Sequence, residues 1–371
     1  MIKILHIHLS SEISGAQRVS LDEMKTLSKQ FQQSMVCSKA GNFTAQANEV
    51  GVQTFVIRTL VRKISFYKDL KSFIELYRLI KKEKYDIIHT HSSKTGFLGR
   101  LAAKLAGTKK IVHTVHGFAF PSTKNKIFKA IYFLMEYIAS LCTSVIIVMN
   151  KNDETIARKY FCANAKTKLI LLNNAIDISR FDKLVTNGSS MNSKKRTKNK
   201  FKLVMVGRLC EQKNPLLVLE AIKKLNNDFS IDFIGDGPLK EEVQNKIIEY
   251  GIAERVKLLG WCVSVEDILY KYDLFVLPSK WEGMPLAILE AMAAKIPVLC
   301  SDIDANRYLL GKTSGFLFKS EDSDDFANKI KFLYENDEIR QTAVQEAYSL
   351  VVNDFDLCKR TKILESIYTH N

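Results

Sequence analysis

Tyr272-Asp273-Leu274-Phe275-Val276-Leu277-Pro278-Ser279 leads through Lys280 into Trp281-Glu282-Gly283-Met284-Pro285-Leu286-Ala287-Ile288-Leu289-Glu290, and then, after an alanine-rich turn, into Lys295-Ile296-Pro297-Val298-Leu299-Cys300-Ser301. The outer two pieces are short apolar runs bounded by turn residues, the pattern of strands buried on both faces. The middle piece is a helix pattern, with Pro285 suited to a first turn where its missing N–H costs little. Strand, helix, strand makes a β-α-β unit and demands a parallel sheet. Glu282 then falls in the loop entering the helix. Glu290, eight positions later, lies about one and a half turns inside it.

Working outward, the alternation continues in both directions. The N-terminal half gives strands over Ile2–Leu9, Gln33–Cys37, Val52–Ile57, Ile87–His89, Lys110–Thr114, Ser144–Val148 and Lys168–Leu172. Helices over Ala16–Lys29, Leu70–Lys82, Thr95–Leu105 and Lys126–Leu141 fall between them. A second strand series starts at Phe201. The expected class is α/β, with two doubly wound domains at 1–182 and 201–355. Between them, 183–200 is polar and carries five basic residues and no acid from Lys194 to Lys200, the composition of an exposed linker. A last helix is expected over about Asp356 to Tyr368, within a terminal segment 356–371.

Composition narrows the class. At 371 residues the chain can bury two cores, and 46% hydrophobic with 26% charged residues is ordinary for a globular protein. The seven cysteines, at 37, 142, 162, 210, 262, 300 and 358, form no C-x-x-C pair and read as free thiols of a reducing cytoplasm. Met1-Ile2-Lys3-Ile4-Leu5-His6-Ile7 reads as a first strand, too short for a signal peptide. The net charge of +15 implies attraction to something anionic: nucleic acid, substrate phosphates or an acidic membrane surface. No uninterrupted apolar stretch reaches spanning length, since Ile127 to Met149 is interrupted by Lys129 and Glu136.

The candidate chemistry gathers at strand ends. Helix-entry amides of Gly283, Met284 and Leu286 are placed to hold an anion. Glu282 and Glu290, on either side, can accept hydrogen bonds from hydroxyl groups, one on a sugar and one on a ribose. Phe201 to Val206 is a strand running into Gly207-Arg208-Leu209, with Lys213 five positions after Arg208. A guanidinium fork and an ammonium together suit a diphosphate whose leaving charge must be neutralised. Ile231 to Ile234 ends in Gly235-Asp236-Gly237-Pro238, which lacks the third glycine of a dinucleotide fingerprint. His89 and His91, at i and i+2 after a strand, project to one side. A metal there needs further ligands, none of them evident, so they read as a polar lining with Ser92 or Ser93 as a helix cap. Asp302-Ile303-Asp304 has the form of a manganese motif but follows a strand in the wrong context and reads as a loop or cap.

These segments resemble the C-terminal half of the family-4 retaining glycosyltransferases. The matching pieces are Gly207-Arg208-Leu209 with Lys213, Gly235-Asp236-Gly237-Pro238, Leu259-Gly260-Trp261, Pro278-Ser279, Glu282 through Glu290 and Ala293 to Pro297. The resemblance is strong from about Phe201 and weaker before it. It implies a GT-B fold, two Rossmann-like domains facing a central cleft, the first binding acceptor and the second a nucleotide sugar. It also implies that the last helix crosses back to the first domain. Catalytic roles fall on His116, which with Gly117 matches the family's histidine-glycine facing the donor sugar, and on Arg208, Lys213 and Glu282. Donor contacts fall on Gly15, Gly207, Gly237, Gly283, Met284 and Glu290. His113 is read as pointing the same way as His116 and packing under the site. Leu172-Asn173-Asn174-Ala175-Ile176-Asp177 resembles an interdomain segment. Ala305-Asn306-Arg307-Tyr308 departs from the family, which places a glycine pair and a glutamate there.

The implied reaction moves a hexose or N-acetylhexosamine from a nucleoside diphosphate, UDP above all, to a hydroxyl of an undecaprenyl-pyrophosphate-linked bacterial surface oligosaccharide, without metal or other cofactor. Basic Arg62, Lys63, Lys68, Lys71, Lys124, Lys126 and Lys129 beside Phe66, Tyr67, Phe128, Tyr132 and Phe133 suit an anionic bilayer, on the inner face of the cell membrane. The same helix packed into its own domain with lysines outward explains these residues equally. A GT-B-fold sugar-nucleotide epimerase and a basic nucleic-acid-binding protein are the alternatives; dispersed basic residues without a recognition motif argue against nucleic acid.

Overall fold

The structure, a computed structural model, describes residues 1–123, 125–162, 167–181, 200–262 and 264–370. The basic stretch read as a linker lies outside the described residues except for Lys200, and so does Lys124. Two compact units result: Met1–Asn174 together with Leu357–Asn371, and Ala175–Asp356.

Each unit is built on one all-parallel sheet. In the first, β1 (Ile2–Ile7), β2 (Phe31–Cys37), β3 (Gln53–Val56), β4 (Ile87–His91), β5 (Lys110–Val115), β6 (Val145–Val148) and β7 (Lys168–Leu171) lie in the order β3-β2-β1-β4-β5-β6-β7. In the second, β8 (Phe201–Val206), β9 (Phe229–Ile234), β10 (Val256–Gly260), β11 (Leu274–Leu277), β12 (Val298–Ser301) and β13 (Phe316–Phe318) lie in the order β10-β9-β8-β11-β12-β13. In both sheets the chain winds outward from a central strand, returns past it and winds the other way. The reversal falls between β1 and β4 and between β8 and β11. Open α/β sheets take their ligands at such switch points, beyond the carboxyl ends of the strands.

The central strands are largely buried because helices cover both faces; β6, β11 and β12 are buried at every position. The helix of the opening stretch runs Leu286–Ala293, with Pro285 as its N-cap in extended backbone (φ −75°, ψ 114°). Lys295 at φ 57° turns the chain out of the helix toward β12. Some boundaries differ from expectation. The first strand stops at Ile7, β4 continues to His91, and the helix expected from Leu70 starts at Phe66, where the Asp69 carboxylate accepts from the Ser65 N–H at 3.0 Å. Helices Asn42–Glu49 and Lys151–Tyr160 were not expected at all. Both are short and polar, and the second is held at its start by Asn150 Oδ1 accepting from Asp153 N at 2.8 Å.

The second unit has one large core around β8, β9 and the helices Pro215–Lys224 and Ser323–Glu335. In the first unit the final helix, Leu357–Thr369, completes a core: Leu364, Ile367 and Tyr368 pack with Ile4, Phe31, Val112 and Ile147. Its Arg360 is buried against the Glu23 carboxylate at 2.7 Å and donates to the carbonyls of Leu172 and Asn173. No helix among the described residues is long and apolar enough to cross a membrane.

Candidate active site

The switch point of the second sheet is built by loops leaving β8, β9, β10 and β11. Gly207, at φ 157°, turns the chain out of β8 and donates to Ile234 O at 2.9 Å. Leu209 N reaches Asp236 O at 3.1 Å, and Gly235 N reaches Gly260 O at 2.7 Å. This lacing brings backbone against backbone. A Cβ on Gly235 would strike the carbonyl oxygen of Gly207, and one on Gly237 would strike the backbone of Leu209. Glycine at 235 and 237 therefore has a packing cause that needs no ligand.

Beyond Leu209 a single 3-10 turn, Glu211–Lys213, ends at Asn214 in the left-handed region (φ 52°), and Pro215 opens the next helix. The turn aims Lys213 back over Gly207 and into Glu282: Nζ to Oε1 is 2.5 Å, with the two side chains 17% and 7% exposed. Gln212 fastens the opposite loop, its side-chain Nε2 donating to Trp281 O at 2.9 Å while its main-chain carbonyl accepts from Lys280 N at 2.8 Å. Behind this, Ser301 Oγ donates to Ser279 O at 2.5 Å and Asn306 Nδ2 donates to Ser301 O at 2.9 Å, tying the ends of β11 and β12. Buried Cys300 lies within reach of the ion pair. Burial pushes its thiol well up, Glu282 adds to this and Lys213 opposes it.

Two of the four charged residues singled out in the sequence thus touch. Arg208 leaves the same strand end, exposed, and makes no ion pair or hydrogen bond among the described residues. Glu290 is partly buried on its helix. Gly283, Met284 and Glu290 each already take part in an interaction within the protein. The arrangement is a half-buried ion pair that an incoming diphosphate can divide, because the phosphate oxygens compete with Glu282 for Lys213 while Arg208 faces solvent beside them.

In the first unit Gly15 is the exposed first residue of the helix Gly15–Thr26. His116 follows β5 and is partly exposed, with its Nε2 3.2 Å from Nδ1 of His91. Loss of hydration, with the nearby Arg360 cation second, lowers its pKa to about 4, so the ring is neutral at neutral pH. Two expectations are corrected here. His89 and His91 line no surface; both are buried, their rings tilted against each other with centroids 4.3 Å apart. Ser92 does cap the following helix by position, at φ 69°, but its side chain makes no capping bond. His113 does not point the way His116 does: it pairs across β4 with Thr90, hydrogen-bonds its Oγ1 at 2.9 Å and faces Glu136, which Arg100 holds at 2.8 Å. The alternation of a strand puts it on the opposite face from His89 and His91. Asp302 and Asp304 both grip Arg307, at 2.5 and 2.9 Å.

The comparisons with known proteins agree with one another. Residues 188–350 match the model of "Glycosyl transferases group 1", and residues 13–180 that of "Glycosyltransferase Family 4". An Escherichia coli UDP-Gal:alpha-D-GlcNAc-diphosphoundecaprenol alpha-1,3-galactosyltransferase is 40% identical over 99% of this chain and 96% of its own length. The chain is a family-4 glycosyltransferase. The O-antigen biosynthesis glycosyltransferase WbnH of Escherichia coli is 26% identical over 95% of this chain and 97% of its own. Among solved structures, Anabaena Alr3699/HepE in complex with UDP and glucose superposes with a TM-score of 0.81 at 19% identity, covering 99% of both chains. The fold of this glycosyltransferase is therefore GT-B, and its activity is glycosyl transfer, not epimerisation. What sequence reasoning missed in the family-4 site is its fastening: Gln212, Ser301 and Asn306. Asn306 stands in the stretch that departs from the family pattern, and a polar residue two positions after Asp304 carried no other signal.

Proposed function

We propose that this enzyme moves a hexose, galactose in the first instance, from its UDP conjugate to a hydroxyl of N-acetylglucosamine carried on a polyprenyl diphosphate, with retention at the anomeric carbon. The galactosyltransferase that is 40% identical supports the donor, the lipid carrier and the retention, since UDP-galactose is an α-glycoside and that relative's product is α-linked. The single observation that carries the donor site is the Lys213–Glu282 pair at the switch point, with Arg208 exposed beside it.

On this reading the bond from C1 to the phosphate oxygen breaks while Arg208 and Lys213 neutralise the departing charge. Lys213 moves from Glu282 to phosphate, and Glu282 is released to accept from sugar hydroxyls. Glu290 accepts from the ribose. Backbone at Gly207, Gly237, Gly283 and Met284 contacts the donor. The acceptor oxygen bonds to C1 on the face the phosphate leaves, and its proton passes to that phosphate. No metal or cofactor takes part in this step, so added Mg2+ or Mn2+ leaves the rate unchanged.

The membrane face also belongs to this reading. Helix Lys126–Ser140 turns Ile127, Ile131, Leu134 and Ile138 outward, with Leu141 just beyond, at spacings of four, three, four and three. Ile127 is 71% and Leu134 56% exposed. Tyr132 and Phe133 instead pack into the aromatic cluster of the unit. Phe66 and Tyr67 are 86% and 75% exposed, next to exposed Arg62, Lys63 and Lys68. An apolar stripe flanked by cations suits an anionic bilayer, where a polyprenyl acceptor resides. Incubating the protein with UDP-galactose, UDP-glucose or UDP-N-acetylglucosamine and a synthetic N-acetylglucosaminyl diphospholipid tests the whole proposal. One donor should give an α-linked disaccharide by mass spectrometry and NMR. A β-linked product, or an altered sugar nucleotide with acceptor omitted, would overturn it.

A further inference from the structure

Six of the seven histidines lie at 6, 8, 89, 91, 113 and 116, and the pairing of β1 with β4 sets His6 opposite His89. His8 and His91 follow two residues later on the same face. Two His-x-His segments on adjacent parallel strands thus make a square of imidazoles at the switch point of the first sheet. All four are buried, none more than 1% exposed. The donor chemistry proposed above makes no use of the square.

We propose that His6, His89 and His91 form a binding site for one zinc-class transition-metal ion. One ring nitrogen from each lies within 4.8 Å of the others. An ion held at about 2.0–2.1 Å sets its nitrogens roughly 3.4 Å apart, so closure draws the three rings together by up to about 1.4 Å. Buried polar atoms are ordinarily hydrogen-bonded. Here both nitrogens of His6, Nε2 of His91 and Nδ1 of His8 have no partner among the described residues. His89 has two partners, Tyr368 Oη at 2.6 Å and Thr114 Oγ1 at 2.7 Å. Binding the ion gives up one and keeps the other as the outer contact that orients a ligating ring.

The donor set fits the class. An all-imidazole site favours zinc, copper, nickel or cobalt over magnesium and calcium, and three histidines leave a fourth position for water or an anion. On the outer side, His91 Nδ1 lies 3.2 Å from Nε2 of the partly exposed His116, and Gly117 beside it is exposed. The ion would pin the ends of β1 and β4 and, through His91, the ring of His116. It would have no part in neutralising diphosphate, so this inference stands apart from the donor reading.

Untagged full-length protein, stripped with a chelator and titrated with cobalt(II), provides the test. One cobalt per chain should bind with the visible absorption of tetrahedral nitrogen coordination, and zinc should displace it. X-ray absorption of the zinc form should show imidazole nitrogens at about 2.0–2.1 Å. His6→Gln and His91→Gln should each weaken cobalt binding roughly a hundred-fold or more, whereas His370→Gln, at an exposed histidine, should not. Failure of the wild-type chain to take up stoichiometric cobalt, or a zinc environment of oxygen alone, overturns the site even if a variant does not fold. Undiminished binding in both folded variants overturns it as well.

Discussion

Lys213 and Glu282 hold each other half out of water, and that fixes what removing either will do. Truncating Lys213 leaves a carboxylate 7% exposed without its cation, a change that costs up to about 3–5 kcal/mol in a dry site and less here, where the lysine still meets solvent. The larger effect belongs to catalysis. Lys213→Ala should lower kcat by about 10²–10³-fold, the loss typical of one preorganised charge-stabilising group. Steady-state kinetics on protein whose fold is verified by circular dichroism will measure it; a change confined to KM would move Lys213 out of the chemistry. Gly235→Ala addresses the scaffold. With φ 145° and the Gly207 carbonyl in the way, it should lose at least ~1–3 kcal/mol in urea unfolding. Both charged residues were legible in the sequence, because each sits at a fixed offset from a strand end. Their contact was not. They are 69 positions apart, and only the adjacency of β8 and β11 brings them together.

At the scale of the element, periodicity alone left helix Lys126–Ser140 ambiguous, since an apolar stripe fits a core or a bilayer equally well. In the structure Glu136, Ala139 and Ser140 face inward and the stripe from Ile127 to Leu141 faces out, the orientation that the proposed bilayer contact needs. Ile131→Asp with Leu134→Asp should therefore abolish flotation with phosphatidylglycerol vesicles while changing folding stability by no more than about 0.5 kcal/mol per site. Loss of folding instead of flotation would mean that the stripe is core. Wild-type binding should also weaken as salt rises, because exposed cations are screened. The imidazole square shows the opposite limit of legibility. Spacing at i and i+2 told which way His89 and His91 project, and His6 and His8 repeat that spacing. Register, which no single strand reveals, decides that the two pairs meet, and Tyr368 of the final helix closes on one of them, its Oη 2.6 Å from His89 Nδ1.

For the whole molecule, the chain folds as two Rossmann-like units and leaves the second at Asp356 to finish the first. Its return is held by Arg360, 3% exposed, against Glu23 at 2.7 Å. Arg360→Ala should cost roughly 3–5 kcal/mol by leaving that carboxylate buried and unpaired, whereas Glu23→Leu with Arg360→Met should recover much of the loss. Denaturant unfolding of the two variants compares them directly. The alternation of strands and helices made both sheets legible in advance; which side chains meet beyond the strand ends was set by the order of the strands in the sheet. The donor claim rests on cations gathered beyond β8, and calorimetric titration with UDP and with uridine isolates it. The wild-type protein should bind UDP far more tightly than uridine, and Arg208→Ala with Lys213→Ala should remove most of that difference, on the order of 2–4 kcal/mol, while leaving uridine binding unchanged. Equal affinity of the wild-type chain for UDP and uridine, or a UDP affinity indifferent to both substitutions, would contradict it.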